Sequence, residues 1–143
     1  MTERPMPSPT PLTAAFWEAA RRHQLVVQRC DSCGAFRHYP QYLCPQCQSG
    51  SWTWAPVRGT GTVYSYAIAY RAFHPSWQDR VPYAVVTVSL DEGVRMVSDL
   101  DSNDTARVTV GSPVEVYFED VPGTGITLPR FRLVEPVPLP RDD

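Results

Sequence analysis

Lysine is absent from the 143 residues, so all thirteen formal cations are arginines. A planar guanidinium suits carboxylate and phosphate contacts, although genomic base composition is a sufficient reason for the bias. No apolar run approaches the roughly 20 residues that span a bilayer. The N-terminus has no basic stretch followed by an apolar core, so no leader is read there and a cytoplasmic location without membrane contact is expected. Histidine is scarce, at positions 23, 38 and 74, and no serine lies in a G-x-S-x-G turn. A hydrolytic triad therefore has no support. Gly59-Thr60-Gly61 precedes a strand pattern instead of a helix, which excludes a phosphate loop and leaves a β-bulge as its expected role.

What is present is ordinary in bulk and specific in pattern. With 43% hydrophobic and 20% charged residues the chain can bury a core, which excludes wholesale disorder. Its length admits one domain, or a compact domain with a small metal-stapled module. Charge is uneven: residues 1–80 hold eight arginines against four acids, and residues 81–143 five against eleven.

Four cysteines form two C-x-x-C pairs, Cys30/Cys33 and Cys44/Cys47, with ten residues between the pairs. Each pair puts two sulfurs on one tight turn, and the spacer lets the turns meet around one ion as a tetrahedral Cys₄ site. Gly34 suits the conformation of the first turn. In a reducing compartment such cysteines are ligands before they are disulfides. Four thiolates leave no coordination position for water, so the metal is structural; the spacing itself fits zinc or the iron of a rubredoxin-like site.

Before the first pair, prolines at 5, 7, 9 and 11 make residues 1–11 a flexible tail. Residues 12–24 follow as an N-terminal helix, with Thr10 as its expected N-cap and Leu12, Phe16 and Ala20 on one face. Residues 25–58 are the Cys₄ ribbon. From 59 to 135 five strand-like runs appear: 62–70, 83–90, 94–100, 114–119 and 126–134. In the first, Tyr64, Tyr66, Ile68 and Tyr70 are expected to share a face. Residues 136–143, with three prolines, are a second flexible tail. The expected fold is mainly β: an N-terminal helix, a rubredoxin-like zinc ribbon and a C-terminal five-stranded OB-fold barrel, with a small sandwich as its rival.

Two sets of side chains are candidates for ligand or partner contact. The long connection 71–82 holds Phe73, His74, Trp77 and Arg80, where aromatics beside arginine suit an interface or a planar ligand. Arg37 and Arg58 sit near Trp52 and Trp54, where packing of ribbon on barrel is the other reading. Single-stranded nucleic acid is an alternative ligand for a ribbon and OB barrel, but the acidic charge of residues 81–143 opposes phosphate binding.

The order Phe16-Trp17-Glu18, Cys30-x-x-Cys33-Gly34, Cys44-Pro45-x-Cys47, Gly59-x-Gly61-x-Val63-Tyr64-Ser65-Tyr66, Pro82-Tyr83-Ala84-Val85-Val86, Gly111-x-x-Val114 and Leu128-Pro129-Arg130-Phe131 resembles the acyl-CoA-associated zinc-ribbon and OB-fold family, domain of unknown function thirty-five. The resemblance covers about residues 12–134. It implies structural zinc on Cys30, Cys33, Cys44 and Cys47 and no catalytic residue. It also implies a non-catalytic subunit that binds and stabilises a thiolase-fold, lipid-transfer-protein-like aldolase, lyase or condensing enzyme in a hetero-oligomer. Acyl-CoA would lie at or near the interface, and steroid side-chain degradation is among the settings the resemblance points to. A rubredoxin-like electron carrier is a third reading of the same cysteines.

Overall fold

The computed structural model describes residues 4–134, so the expected tail at 136–143 lies outside the described residues. Its elements are helix α1 (Ala14–Arg21) and strands β1 (Val26–Cys30), β2 (Phe36–Arg37), β3 (Trp52–Pro56), β4 (Thr60–Ala69), β5 (Tyr83–Leu90), β6 (Arg95–Asp99), β7 (Pro113–Val121) and β8 (Ile126–Leu133). Two short 3₁₀ turns, Pro75–Arg80 and Ser102–Asp104, sit in the connections.

The helix begins later than expected. Thr10 does present its hydroxyl to the Thr13 N–H at 3.2 Å, but Pro11–Thr13 form a turn and Thr13 is the N-cap residue. At the other end His23 takes the left-handed conformation, φ 58°, and the Gln24 N–H returns to the Ala19 carbonyl at 2.9 Å. This closes the helix in the way glycine usually does. Phe16, Ala19 and Ala20 face inward. His23 stacks on Phe118 with ring centroids 5.2 Å apart and its Nε2 lies 3.0 Å from Asp120, which ties the helix end to β7. The proline-rich segment is also tied down: Arg4 reaches Glu119 at 2.8 Å.

The first sheet has the order β2-β1-β3 and the second β6-β5-β4-β7-β8, with every strand pair antiparallel. Five strands close into a partly open barrel because a parallel bridge joins Leu100 to Phe131 and the Asp101 N–H donates to the Phe131 carbonyl at 2.8 Å. This is the OB arrangement, and the sandwich reading fails. Alternation along β5 places Ala84, Val86, Val88 and Leu90 inside, where they meet Val63, Val114, Leu100 and Phe131. Full burial of each of these Val, Leu and Phe side chains stabilises the fold by roughly 1.5–3 kcal/mol.

Pairing along β4 corrects the expected face. Val63 faces Val88, the register then shifts, and Ser65 faces Thr87, so Tyr64 is the extra residue of a bulge. Tyr66 and Ile68 consequently oppose the buried Val86 and Ala84, whereas Tyr64 lies under Arg95, its ring centroid 3.7 Å from the guanidinium carbon. Gly59 and Gly61 flank no bulge. A Cβ on Gly61 would stand 2.2 Å from the Ser89 carbonyl oxygen, and one on Gly59 2.2 Å from Val116 Cγ1. Glycine here permits close approach of β5 and β7.

Candidate metal centre and contact surfaces

Each cysteine pair sits on a turn that its own backbone closes. The Gly34 N–H returns to the Cys30 carbonyl at 3.0 Å, and the Gln48 N–H to the Cys44 carbonyl at 2.8 Å. Both turns need a left-handed residue after the second cysteine: Gly34 at φ 77° and Gln48 at φ 64°. Asp31 fastens the first turn to β3 by accepting the hydroxyls of Ser51 and Thr53, each at 2.7 Å. These bonds hold its carboxyl below the usual range, Thr53 contributing most. Ser32 joins the two turns directly, its hydroxyl 2.9 Å from that of Ser49.

The four sulfurs lie within 4.8 Å of one another. Cys30 and Cys47 are 3.5 Å apart and Cys33 and Cys44 3.6 Å, far beyond a covalent S–S bond of about 2.05 Å. A zinc–sulfur distance of about 2.3 Å gives a tetrahedron with edges of about 3.8 Å, so the separations fit a ZnS₄ shell. The Cys33 N–H, donating to Cys30 Sγ at 3.5 Å, leads the causes that bring that thiol down to about 6. Cys44 is lowered chiefly by the Cys47 N–H. At Cys47 the Ser49 N–H favours the thiolate, but the neighbouring Cys30 thiol and burial outweigh it and push the group up to about 11. Without a cation the shell does not carry four negative charges; zinc removes that conflict and supplies cross-linking, with no position open for a substrate. Cys30 and Cys44 are buried and Cys33 and Cys47 exposed.

A second network braces this centre from behind. Gln28 is fully buried, and its Oε1 accepts from Arg37 Nε and the Gln41 N–H, each at 2.8 Å. Arg37 Nη2 reaches the Gln41 carbonyl at 2.9 Å and the guanidinium lies over Trp52. Arg37, for which partner contact and packing are the two expected readings, is only 6% exposed and packs inside the ribbon. Nε and Nη2 of its planar fork fit the buried amide network, while Nη1 is buried without a partner.

The remaining contact candidates separate. Phe73 is 82% exposed. His74 Nδ1 accepts the Ser76 N–H at 3.2 Å and caps the 3₁₀ turn, Trp77 packs on Tyr83 with centroids 4.7 Å apart, and Arg80 lies over Trp77. Trp77 and Arg80 line a cavity of about 310 Å³ together with Asp99 and Arg130, and Phe73 and His74 are not among its lining residues. Arg130 donates to Asp99 at 2.7 Å and lies 3.5 Å from Glu119. Burial opposes the Glu119 charge, but Arg4 and Arg130 hold its carboxyl below the usual range. Arg58 is exposed at the ribbon–barrel junction, away from this loop in sequence; its N–H donates to Glu92 at 3.1 Å. Among the described residues no helix is long and apolar enough to cross a membrane.

A closed thiolate shell on a three-stranded ribbon, followed by a five-stranded OB barrel, defines the class: a structural-zinc ribbon and OB-fold protein. Residues 17–53 match the family described as ChsH2, rubredoxin-like zinc ribbon domain, and residues 54–119 the ChsH2, C-terminal OB-fold domain. The chain is 39% identical over 93% of its length to a Thermomonospora curvata protein named "Probable enoyl-CoA hydratase alpha subunit", and 35% identical over 81% to the "3-oxo-4,17-pregnadiene-20-carboxyl-CoA hydratase alpha subunit" of Mycobacterium tuberculosis. It spans 41% and 36% of those two proteins. Among solved structures, a chain of the "Ltp2-ChsH2(DUF35) aldolase" is 37% identical and superposes with a TM-score of 0.80, over 90% of this chain and 98% of that one. The chain belongs to the ChsH2/DUF35 family of zinc-ribbon and OB-fold proteins.

Proposed function

We propose that this chain is a non-catalytic subunit of an acyl-CoA-handling enzyme. It docks a thiolase-fold, lipid-transfer-protein-like aldolase, lyase or condensing enzyme, and the partner carries the chemistry. The observation that carries the reading is the likeness over 98% of a DUF35 chain that belongs to an aldolase assembly. The closed Cys₄ centre supports it, because a saturated shell stiffens a surface without binding substrate. A CoA thioester named in a relative's own substrate supplies the ligand class, and a steroid side-chain thioester is the finer assignment.

Phe73 is the contact we place at the interface, since a phenyl group this exposed at the tip of a long loop gains most from being covered. His74, Trp77 and Arg80 then hold the loop in shape at the edge of the acyl-CoA site, with Arg58 marking the ribbon side. The test is co-expression with a thiolase-fold aldolase encoded beside this chain, followed by size exclusion and titration. A stable complex is expected, and Phe73→Ala should weaken it about tenfold, the scale of a single aromatic contact. Absence of any complex at micromolar concentrations would overturn the reading.

A further inference from the structure

The barrel parts between β6 and β8, and this seam is roofed by α1 and residues 38–40. Under the roof lies a cavity of about 280 Å³ whose walls include Phe16, Trp17, His38, Met96, Val97 and Leu128. Phe16 and Met96 are core residues. Phe16 meets Trp17 edge-on at 5.0 Å and the His38 ring at 5.5 Å, so the walls are fixed by packing before any guest arrives. Among the described residues, none of those lining the cavity carries a formal charge. His38 is a polar group on its wall, beside the hydroxyl-bearing Thr13 and Tyr39. Nδ1 is sealed from solvent and has no partner, so a bond between this ring and a guest falls to Nε2.

We propose that this cavity binds a small neutral molecule, a single ring or branched chain of similar bulk, whose one hydroxyl meets His38 Nε2. Size sets the bulk: an apolar cavity of about 150 Å³ accepts benzene, so this one has room for a ring with a substituent. Chemistry sets the polar group, since a hydroxyl donates or accepts and so satisfies either tautomer of a neutral imidazole. A carboxylate or phosphate finds no cation here and is excluded by its desolvation cost. The occupant is a free molecule and not a partner's strand, because the Val97 N–H on the edge of β6 already donates to the Tyr39 hydroxyl at 3.2 Å. The site is separate from the 71–82 loop and stands whether or not the proposed partner is right.

The experiment is titration of para-cresol, toluene and benzoate into the zinc-loaded full chain, followed by ¹H–¹⁵N NMR. Saturable shifts at Trp17, Tyr39, Val97 and Leu128 are expected with para-cresol. Toluene should bind about fivefold more weakly, the effect of one hydrogen bond, and benzoate should not bind. His38→Phe should erase the preference for para-cresol over toluene. Val97→Trp, at a half-exposed position on the rim, should abolish binding of both; it decides the matter if His38→Phe does not give a folded spectrum. Shifts that do not saturate, map elsewhere, or appear equally with benzoate would overturn the proposal. So would N-acetyl-tyrosinamide binding as tightly as para-cresol, which would give the site to a protein side chain.

Discussion

Between Val26 and Pro56 the chain buries a glutamine, an arginine and two thiols, whereas between Thr60 and Leu133 it buries valine after valine, with Leu100 and Phe131 at the centre. The ribbon is specified by directional contacts: two clipped turns, four sulfurs and an amide hub at Gln28. The barrel is specified by area, and its strand ladders carry many contacts of similar worth. From the ribbon side, Leu25 and Val27 enter the shared core, and Phe36 and Trp54 pack half-buried against it. A small module thus holds its shape through geometry, and a larger one through redundancy.

Metal removal is the strongest way to break this contrast. Chelation of zinc, or Cys44→Ser, should raise amide exchange in β1–β3 by about a hundredfold or more while β4–β8 change by less than about tenfold. Equal loss in both sheets would show one cooperative unit. A smaller effect lies at the junction, where burial pushes His38 down to about 4. The unfolded ring, with an ordinary value near 6.5, binds its proton first as the pH falls. The contribution is therefore complete above pH 6.5 and lost progressively toward pH 4, by about 3 kcal/mol in all. Urea unfolding at pH 7 and pH 4 should show a loss about 3 kcal/mol larger in the parent protein than in His38→Phe, the carboxylate and thiolate contributions being common to both. The smallest change sharpens the ribbon side: Gln48→Gly should raise stability by about 1 kcal/mol by relieving a left-handed glutamine, read as a higher urea midpoint.

The sequence made the metal centre legible because ligand spacing is local and carries its own geometry. The five barrel runs were legible for a similar reason, since β-branched alternation survives burial; 83–90 coincides with β5. Tyr64 escaped because one inserted residue reverses every face after it, and period-two patterning has no sign for that. Arg37 and Gln28 escaped because polar residues read as surface until a partner nine or thirteen residues away is known to face them. Gln48 offered no glycine to mark its turn. Arg4 lies in a segment whose prolines exclude regular structure but not anchoring, and Glu119 is 115 residues distant.

The cysteine shell is uneven in its exposure, which bears on how a metal ion leaves it. Cys30 and Cys44 face inward while Cys33 and Cys47 face solvent, so an incoming thiol or chelator meets the outer pair first. Ligand exchange can then proceed stepwise from that side, one sulfur at a time, while the inner pair still holds the ion. Tight equilibrium binding and fast metal turnover are compatible in such a site, and the ribbon's lifetime as a folded surface follows the competing ligands around it.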